Sequence, residues 1–507
     1  MSEFHDTSEQ LTHNDFGISP LARIAKEHVA LTIHPSVYDT INVSYQALSI
    51  ADANDERIYG LDTGFGPLAK YTVSSDRRPE LHRNLIYHLA TGEGPLLSKE
   101  ETRACIIARI VSLSKGFSCI STGGFESLCA LIHQSITPAI PSRGTVGASG
   151  DLTPLAHVAL ALAGEGAYLE MPDTAPHKLL KSHGISTLDF SSRDALAIVN
   201  GTSAMTGIAA LNGVESEAFL RQCATATLLY GEITEAFAES LHPIHAKTRP
   251  HAGQTWAQST LADLASGSQR LRDSRARSTP TITPQDAYSF RCAQQELGAA
   301  KDMLNFHNSV VETELNAVTD NPILSDDRQH FIHGGNFYGQ HVAYASDTLA
   351  ITLCKLAVWL ERCIARITHP SNSFGLPPFL TPETPGLHSG FMGLQVTATA
   401  LTAEIRSLAH PASIQSISTN GDNQDVVSMG TIAARKCRQI ADRLHSIFAI
   451  YSMVLAQAFE LKGGFTKERS NFSRSSVVFC EGIREQVAFL TKDRPLSDEI
   501  ESLKQSQ

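Results

Sequence analysis

The chain has 507 residues, of which 42% are hydrophobic and 18% charged, a composition typical of a globular protein with a large core. Its formal net charge of −11 argues against nucleic acid or an anionic membrane surface as a partner. The N-terminus has no basic region followed by an apolar segment, and no uninterrupted apolar run reaches the roughly 18 residues of a membrane span. The nine cysteines are scattered singly, so we expect reduced thiols in a cytoplasmic protein without a metal site.

A glycine-rich loop near the N-terminus carries a tyrosine. The sequence Tyr59-Gly-Leu-Asp-Thr-Gly-Phe-Gly66 suits a mobile or tightly folded lid over a site. A tyrosine can remove a proton only if its surroundings lower a pKa that is about 10 in water. The local pattern alone favours a structural tyrosine in a glycine-rich loop.

The next candidate lies in Leu81-His-Arg-Asn-Leu-Ile-Tyr-His88-Leu89-Ala-Thr-Gly92. His88 could hydrogen-bond a polar group of a ligand while Leu89 packs against its apolar part. The alternative is a core histidine that hydrogen-bonds a backbone carbonyl.

The stretch Gly147-Ala-Ser-Gly-Asp-Leu-Thr-Pro-Leu-Ala-His157 can form an electrophile from its own backbone. The amide nitrogen of Gly150 can attack the carbonyl carbon of Ala148 and close a five-membered ring. Loss of water and of the Ser149 hydroxyl then leaves an exocyclic methylidene. Glycine allows the sharp turn that this needs, although a bare Ala-Ser-Gly is more often an ordinary turn. A helix follows, with Thr153 predicted as its N-cap and Gly164 as its stop.

Long helices are predicted for the second half of the chain. Two apolar stripes with steps of three and four residues run over 349–367 and 440–461, as in helices that pack in bundles. Breakers cluster at 242–250, 265–284 and 369–388, and Ser266 to Pro280 is predicted as an exposed loop. The predicted fold is mainly α, with an N-terminal mixed domain over 1–199 that carries the reactive turn and a long-helix bundle with C-terminal helices over 200–507.

Three further segments carry candidate site residues. In Gln285-Asp-Ala-Tyr-Ser-Phe-Arg291-Cys-Ala-Gln-Gln295, Arg291 could bind a carboxylate through its forked guanidinium, with Tyr288 one helical turn away. Phe337 lies in Gly-Gly-Asn-Phe-Tyr-Gly-Gln-His341, and Asn423 and Gln424 lie in the polar stretch 416–429. Read singly, the Arg291 segment fits a solvated helix with a surface arginine, and Phe337 fits a core aromatic.

Together the motifs closely resemble those of the aromatic amino acid ammonia-lyases, the family of histidine, phenylalanine and tyrosine ammonia-lyases. The resemblance implies a fumarase/aspartase-like helical fold and a homotetramer whose active sites draw residues from three subunits. It also implies that Ala148, Ser149 and Gly150 become 4-methylideneimidazol-5-one (MIO), without a metal or an external cofactor.

The resemblance further implies a role for each candidate. Tyr59 would remove the β-proton of the substrate, Arg291 would hold its carboxylate, and Tyr288 and Asn200 would lie near the MIO ring. The residues expected to contact substrate are Gly66, His88, Leu89, Gln285, Phe337, Met392, Asn420, Asn423 and Gln424. Two departures from the family pattern, Asp62 and Gln294, leave the local backbone at those positions open.

Two positions bear on the substrate. Histidine lyases carry Ser-His where this chain has His88-Leu89, and a Glu where it has Gln424, whereas bacterial tyrosine lyases carry His-Leu. The resemblance therefore favours elimination of ammonia from L-tyrosine to give trans-p-coumarate. Alternatives within the family are a phenylalanine or histidine lyase, or an aminomutase that re-adds ammonia at the β-carbon. An alternative from another class is a helical scaffold with an inactive site.

Overall fold

The computed structural model describes residues 8–54, 56–279, 282–371 and 374–506. The N-terminal heptapeptide and Pro280, both used in the sequence analysis, lie outside the described residues. The α-helices are, in chain order, α1 (Ile18–Ala25), α2 (Pro35–Ala53), α3 (Arg78–Leu89), α4 (Lys99–Ser114), α5 (Thr122–His133), α6 (Leu152–Leu162), α7 (Pro176–Ser182), α8 (Asp194–Val199), α9 (Ser203–Ile233), α10 (Ile244–Thr248), α11 (Ala252–Leu264), α12 (Tyr288–Arg291), α13 (Ala293–Leu315), α14 (Gln340–Thr368), α15 (Met392–Leu408), α16 (Gly430–Leu461), α17 (Arg474–Arg484) and α18 (Ser497–Gln505).

Strands are few and short in the described residues. They are β1 (Ser8–Leu11), β2 (Ala30–Ile33), β3 (Glu93–Leu96), β4 (Pro141–Arg143), β5 (Ile323–Leu324) and β6 (Phe331–Ile332). They form two-stranded sheets, parallel for β1 with β2 and antiparallel for β3 with β4 and for β5 with β6. Short 3-10 helices lie at Gly66–Leu68, Ser75–Arg77, Ala238–Leu241, Ser274–Ser278, Pro378–Leu380 and Arg469–Asn471. The prediction of a mainly α fold is confirmed.

The chain forms two compact units of interleaved segments. Unit 1 comprises the described residues up to Val214 together with His307–Asp347 and Pro411–Arg435, and unit 2 comprises the remainder. Each unit has its own buried apolar core. The predicted division at residue 200 follows the chain and stays a prediction.

The two predicted apolar stripes are the buried faces of α14 and α16. Leu349, Leu353 and Leu360 on α14 are at most 2% exposed, and Ile440, Leu444 and Ile447 on α16 are at most 1% exposed. Helix α16 is long and apolar enough to cross a membrane, with a mean hydropathy of 1.4 over its most apolar window. However, 78% of that window is buried inside the protein, as in a core helix.

The N-cap predicted for α6 was wrong. Asp151 precedes the first helical residue, and its carboxylate is not used to cap the helix. Thr153 lies inside the helix, where its hydroxyl donates to the carbonyl of Gly144 (3.2 Å). Tertiary contacts therefore replace the local cap that the sequence suggested. The predicted stop is confirmed, because Gly164 follows the C-cap in the left-handed conformation (φ +78°).

Candidate active site

One cavity of about 750 Å³ in unit 1 collects most of the residues predicted for the site. Its apolar wall includes Phe65, Leu85, Leu89 and Leu152, which suits an aromatic ring. The predicted site residues that line it are Tyr59, Gly66, His88, Leu89, Ala148, Ser149, Asn200, Phe337, Asn420, Asn423 and Gln424.

The Ala148-Ser149-Gly150 turn is held by backbone contacts on both sides. Gly150 has a φ of +68°, and a Cβ there would lie 2.2 Å from the carbonyl oxygen of Gly201, so only glycine fits. The next amide, that of Asp151, donates to the same carbonyl at 2.7 Å. Among the described residues, the Gly150 amide has no hydrogen-bond partner. The geometry thus fits a turn whose Gly150 nitrogen is available to close a ring.

Asp151 anchors this turn to the start of α9. Its carboxylate accepts the backbone N–H of Met205 (2.8 Å) and the hydroxyl of Thr431. Burial raises the pKa of Asp151 to about 6, while these hydrogen bonds act in the opposite direction. The turn is therefore fixed by long-range contacts rather than by its own sequence.

Tyr59 begins a hairpin that folds over the cavity. Its hydroxyl accepts the backbone N–H of Gly66 at 2.9 Å. Burial raises the pKa of Tyr59, and the Gly66 hydrogen bond only partly opposes this shift. The surroundings of Tyr59 thus raise its pKa, contrary to the lowered pKa that we expected for a catalytic base.

Asp62, which departs from the family pattern, forms hydrogen bonds within the same hairpin. Its carboxylate accepts the N–H of Ile58 (3.2 Å) and its carbonyl accepts the N–H of Val73 (2.8 Å). His333 was missed by the sequence reasoning, although its Nε2 accepts the backbone N–H of Tyr59 at 3.3 Å. No local motif marks this contact, because His333 and Tyr59 are far apart in the chain.

His88 lies in the last turn of α3 and faces the cavity. Its Nδ1 is 2.9 Å from the carbonyl oxygen of Asn84, one helical turn earlier. Since a carbonyl can only accept, Nδ1 carries the proton in the neutral ring and Nε2 is an acceptor. The Phe65 ring lies beside it, with centroids 6.4 Å apart. The histidine therefore hydrogen-bonds a backbone carbonyl and lines the cavity, but it is exposed and not a core residue. Its hydrogen bond to a ligand stays a prediction.

Asn200 is fixed by a buried network that the sequence did not reveal. Its Nδ2 donates to Asp320 Oδ1 (2.9 Å) and to the carbonyl of Asn321 (3.0 Å). Asp320 in turn accepts two hydrogen bonds from the Arg193 guanidinium, at 2.9 and 3.2 Å. With both amide hydrogens donated to protein, the side-chain oxygen of Asn200 is the group available to a ligand.

We expect Asp320→Ala to cost about 3–5 kcal/mol of stability, because it leaves the Arg193 charge buried and unpaired. Both side chains of this pair are 0% exposed. Urea unfolding followed by circular dichroism measures the loss. The control is Glu80→Ala, which breaks the exposed Arg77–Glu80 pair and should leave the midpoint nearly unchanged. Equal losses in the two variants would contradict the assignment.

The turn 419–424 brings polar groups to the Ala148-Ser149-Gly150 turn. Gln424 Nε2 donates to Ser149 Oγ at 3.4 Å, and its Oε1 accepts the Thr419 hydroxyl at 2.7 Å. The Thr419 contact orients the amide, so that its NH₂ group faces Ser149. A Cβ on Gly66 would lie 3.7 Å from Asn423 Oδ1, so the turn also contacts the hairpin of Tyr59.

The remaining candidates lie in unit 2. Arg291 ends the short helix α12, where its Nη1 donates to Gln285 Oε1 (2.6 Å) and its guanidinium lies 5.5 Å from the Tyr288 ring centroid. Tyr288 is 70% exposed. All three line a different cavity of about 530 Å³. Met392 is 40% exposed at the start of α15 and lines neither cavity.

Gln294, the other departure from the family pattern, lies in the first turn of α13. The short helix α12 ends at Arg291, and Cys292 is its C-cap, so the backbone breaks before α13 begins at Ala293. Gln294 itself is buried and donates from Nε2 to the carbonyl of Ser240 at 2.8 Å. Its side chain therefore packs within unit 2 and lines neither cavity.

The sequence matches the family described as aromatic amino acid lyase over residues 16–484. The chain belongs to the aromatic amino acid lyase family. It is 45% identical to a tyrosine ammonia-lyase from Cereibacter sphaeroides, a match that covers 95% of this chain and 94% of that protein. A tyrosine ammonia-lyase from Cupriavidus metallidurans is 39% identical, with 95% and 93% covered.

A solved structure of the family has the same fold. The crystal structure of tyrosine aminomutase from Streptomyces globisporus matches with a TM-score of 0.94 and 33% identity, covering 99% of this chain and 96% of that one. The fold expected from the resemblance is therefore confirmed. Aromatic amino acid lyases use an MIO group formed from their own chain. Membership of the family also implies an aromatic amino acid as substrate.

Proposed function

We propose that the chain is an MIO-dependent ammonia-lyase that converts L-tyrosine into trans-p-coumarate and ammonia. The observation that carries this proposal is the single cavity in which Ser149, Tyr59 and His88 meet. The two relatives named tyrosine ammonia-lyase support it. Incubation of the pure protein with tyrosine, phenylalanine and histidine separately, followed by product identification, tests it.

The reactive turn fits the MIO group. The Gly150 nitrogen is available to attack the Ala148 carbonyl carbon, and Ser149 carries the hydroxyl that must leave. The close approach of Gly201 fixes the bend and excludes any side chain at residue 150. The group supplies an electrophilic carbon that makes the substrate's amine a good leaving group.

The other lining residues would bind and orient the substrate. His88 Nε2 accepts a hydrogen bond from the phenol hydroxyl, and Leu89 packs against the ring. Phe337 and Phe65 exclude water from the reacting end. Tyr59 takes the β-proton, while the Asn200 oxygen and the Gln424 amide hold the polar groups near Ser149.

Further copies of the chain would complete the site. Gln285, Tyr288, Arg291 and Met392 lie in unit 2 and do not line the cavity of Ser149. We propose that they serve the site of another subunit in a homotetramer. An arginine brought to Tyr59 in this way would bind the substrate carboxylate and lower the pKa of the phenol. Such an arginine would oppose the effect of burial on the pKa of Tyr59.

An aminomutase is the second candidate, favoured by the match to tyrosine aminomutase at a TM-score of 0.94. A mutase returns the ammonia to the β-carbon, so its product is a β-amino acid rather than coumarate. Chromatography of the tyrosine reaction separates these products. A dominant β-tyrosine fraction would replace the lyase proposal with this one.

Substrate selectivity should depend on His88. Phenylalanine would leave the imidazole unpaired in a closed site, at a cost of about 1–3 kcal/mol, so we expect a 5- to 150-fold preference for tyrosine. His88→Phe should reverse the preference, since the phenol loses its partner and the phenylalanine ring gains an apolar wall. The measurement is kcat/KM for both substrates in both proteins.

The matched control is Tyr87→Phe, on the same helix. The Tyr87 hydroxyl donates to Glu165 (2.6 Å), and the residue does not line the cavity. This variant should keep the wild-type ratio. If His88→Phe also keeps the wild-type ratio of kcat/KM, His88 does not recognise the phenol hydroxyl of the substrate.

A further inference from the structure

We propose that His157 is a positioning residue for substrate selectivity: it holds the end of α3, which carries His88, at a fixed place relative to the Ala148-Ser149-Gly150 turn. This inference rests on the proposed function, because selectivity is defined by the tyrosine and phenylalanine reactions. His157 does not line the cavity and does not touch a substrate there.

His88 and the Ala148-Ser149-Gly150 turn are connected through the paired strands β3 and β4, which we call the frame. Helix α3 ends at Leu89, just beyond His88, and leads into β3. Strand β4 pairs with β3, with Glu93 opposite Arg143, and leads into the reactive turn. Helix α6 then starts directly after the turn. The distance between His88 and Ser149 is thus set by how α6 holds the two strands.

Helix α6 contacts both sides of this frame through residues one turn apart. Nε2 of His157 accepts the backbone N–H of Gly92, between α3 and β3, at 3.2 Å. The Thr153 hydroxyl donates to the carbonyl of Gly144, between β4 and the turn, at 3.2 Å. Positions i and i+4 share one helix face, so the two side chains form a clamp on the frame.

The fit around Gly92 is close enough to transmit a displacement. A Cβ on Gly92 would lie 2.9 Å from His157 Nε2 and 3.0 Å from the Pro141 side chain. A Cβ on Gly144 would lie 3.2 Å from the Gly92 Cα. The two backbones therefore touch, and a shift of Gly92 moves the end of α3 against β4.

The imidazole has the protonation state that this contact requires. Burial lowers the pKa of His157, so the ring is neutral at pH 7. Because Nε2 accepts the Gly92 N–H, the single ring proton lies on Nδ1. A hydrogen bond between the ring and the phenol of a substrate tolerates little misplacement at His88. Loss of the clamp should therefore weaken recognition of the phenol more than turnover in general.

The test compares His157→Leu, which removes the acceptor, with His157→Gln, whose amide oxygen can occupy the Nε2 position. We expect the tyrosine-to-phenylalanine ratio of kcat/KM to fall about 5- to 10-fold in the leucine variant. Glutamine should restore most of the ratio. Hydrogen exchange of the Gly92 amide should quicken in the leucine variant and stay slow in the glutamine variant. Intact mass verifies that the electrophile has formed in each protein.

The control is Tyr168→Phe. It removes a buried hydrogen bond to the same helix, from the Tyr168 hydroxyl to the carbonyl of Ala161 (2.8 Å), without touching the frame. This variant should lose thermal stability and keep the wild-type ratio. If the leucine variant does not fold, His157→Asn replaces it, because its shorter side chain does not bring the acceptor to Gly92.

Two results would overturn the proposal. One is a His157→Leu variant that keeps the wild-type tyrosine-to-phenylalanine ratio of kcat/KM. The other is a His157→Gln variant that loses as much of this ratio as His157→Leu does. Failure of the proposed function has a different signature, since wild type would then make no coumarate from tyrosine. In that case exchange at Gly92 alone decides whether His157 holds the frame, and an unchanged exchange rate would refute it.

Discussion

Ser149→Ala should abolish turnover while leaving the fold intact. The substitution removes the hydroxyl that must leave when the electrophile forms, and side chains offer no other strong carbon electrophile. In the folded chain this hydroxyl accepts one long hydrogen bond, from Gln424 at 3.4 Å, so stability should change little. We expect kcat to fall by several orders of magnitude, as measured by coumarate absorbance, with unchanged circular dichroism.

Intact mass gives an independent reading of the same residue. The wild-type chain should be lighter than its sequence by two water molecules, and the Ser149→Ala chain should not. Ser142→Ala is the matched control, because Ser142 accepts a single hydrogen bond from Arg435 (3.3 Å) and lies outside the cavity. A wild-type mass equal to that of the unmodified sequence would refute the formation of MIO.

Tyr59→Phe should lower kcat by about 10²–10⁴-fold, the usual contribution of a positioned proton transfer. The change removes the ionisable oxygen and one hydrogen bond, that from Gly66 at 2.9 Å, with almost no change of volume. Binding of p-coumarate as a competitive inhibitor should persist. Since burial raises the pKa of Tyr59, a chain that lacked a cation from another subunit would gain activity only at alkaline pH, as the phenol loses its proton.

Two controls separate the base from the hairpin that carries it. Tyr71→Phe alters an exposed phenol on the same hairpin and should keep wild-type kcat. Mixing Tyr59→Phe chains with Arg291→Ala chains should restore part of the activity if the two residues act from different subunits. A Tyr59→Phe enzyme with more than a tenth of wild-type kcat would exclude the role.

The Ala148-Ser149-Gly150 turn could be proposed from the sequence as the source of an electrophile because its signal is local. Ring closure involves only the consecutive residues Ala148, Ser149 and Gly150, so the necessary atoms are visible in the chain. The stripes of α14 and α16 were equally readable, since helical periodicity records burial directly in the sequence. The cavity in unit 1 brings this turn together with Tyr59 and His88.

Other features of the site depend on contacts that form only in the folded chain. The Thr153 cap was wrong because the helix already begins at Leu152, which places Thr153 inside it, where its hydroxyl donates to the carbonyl of Gly144. The raised pKa of Tyr59 comes from burial, which no pattern in the glycine-rich loop expresses. The support for Asn200 comes from Arg193 and Asp320, which are distant in sequence.

The sequence by itself determined the family of this protein and the chemistry that we propose for it, because the family's motifs are short and contiguous. Only the tertiary structure decided which of them share a cavity. It brought Ser149, Tyr59 and His88 together in unit 1 and left Arg291 in unit 2. The physical reason is range: covalent chemistry and helical periodicity act over a few neighbouring residues, whereas burial, buried ion pairs and clamps such as His157 with Gly92 depend on segments that meet only after folding.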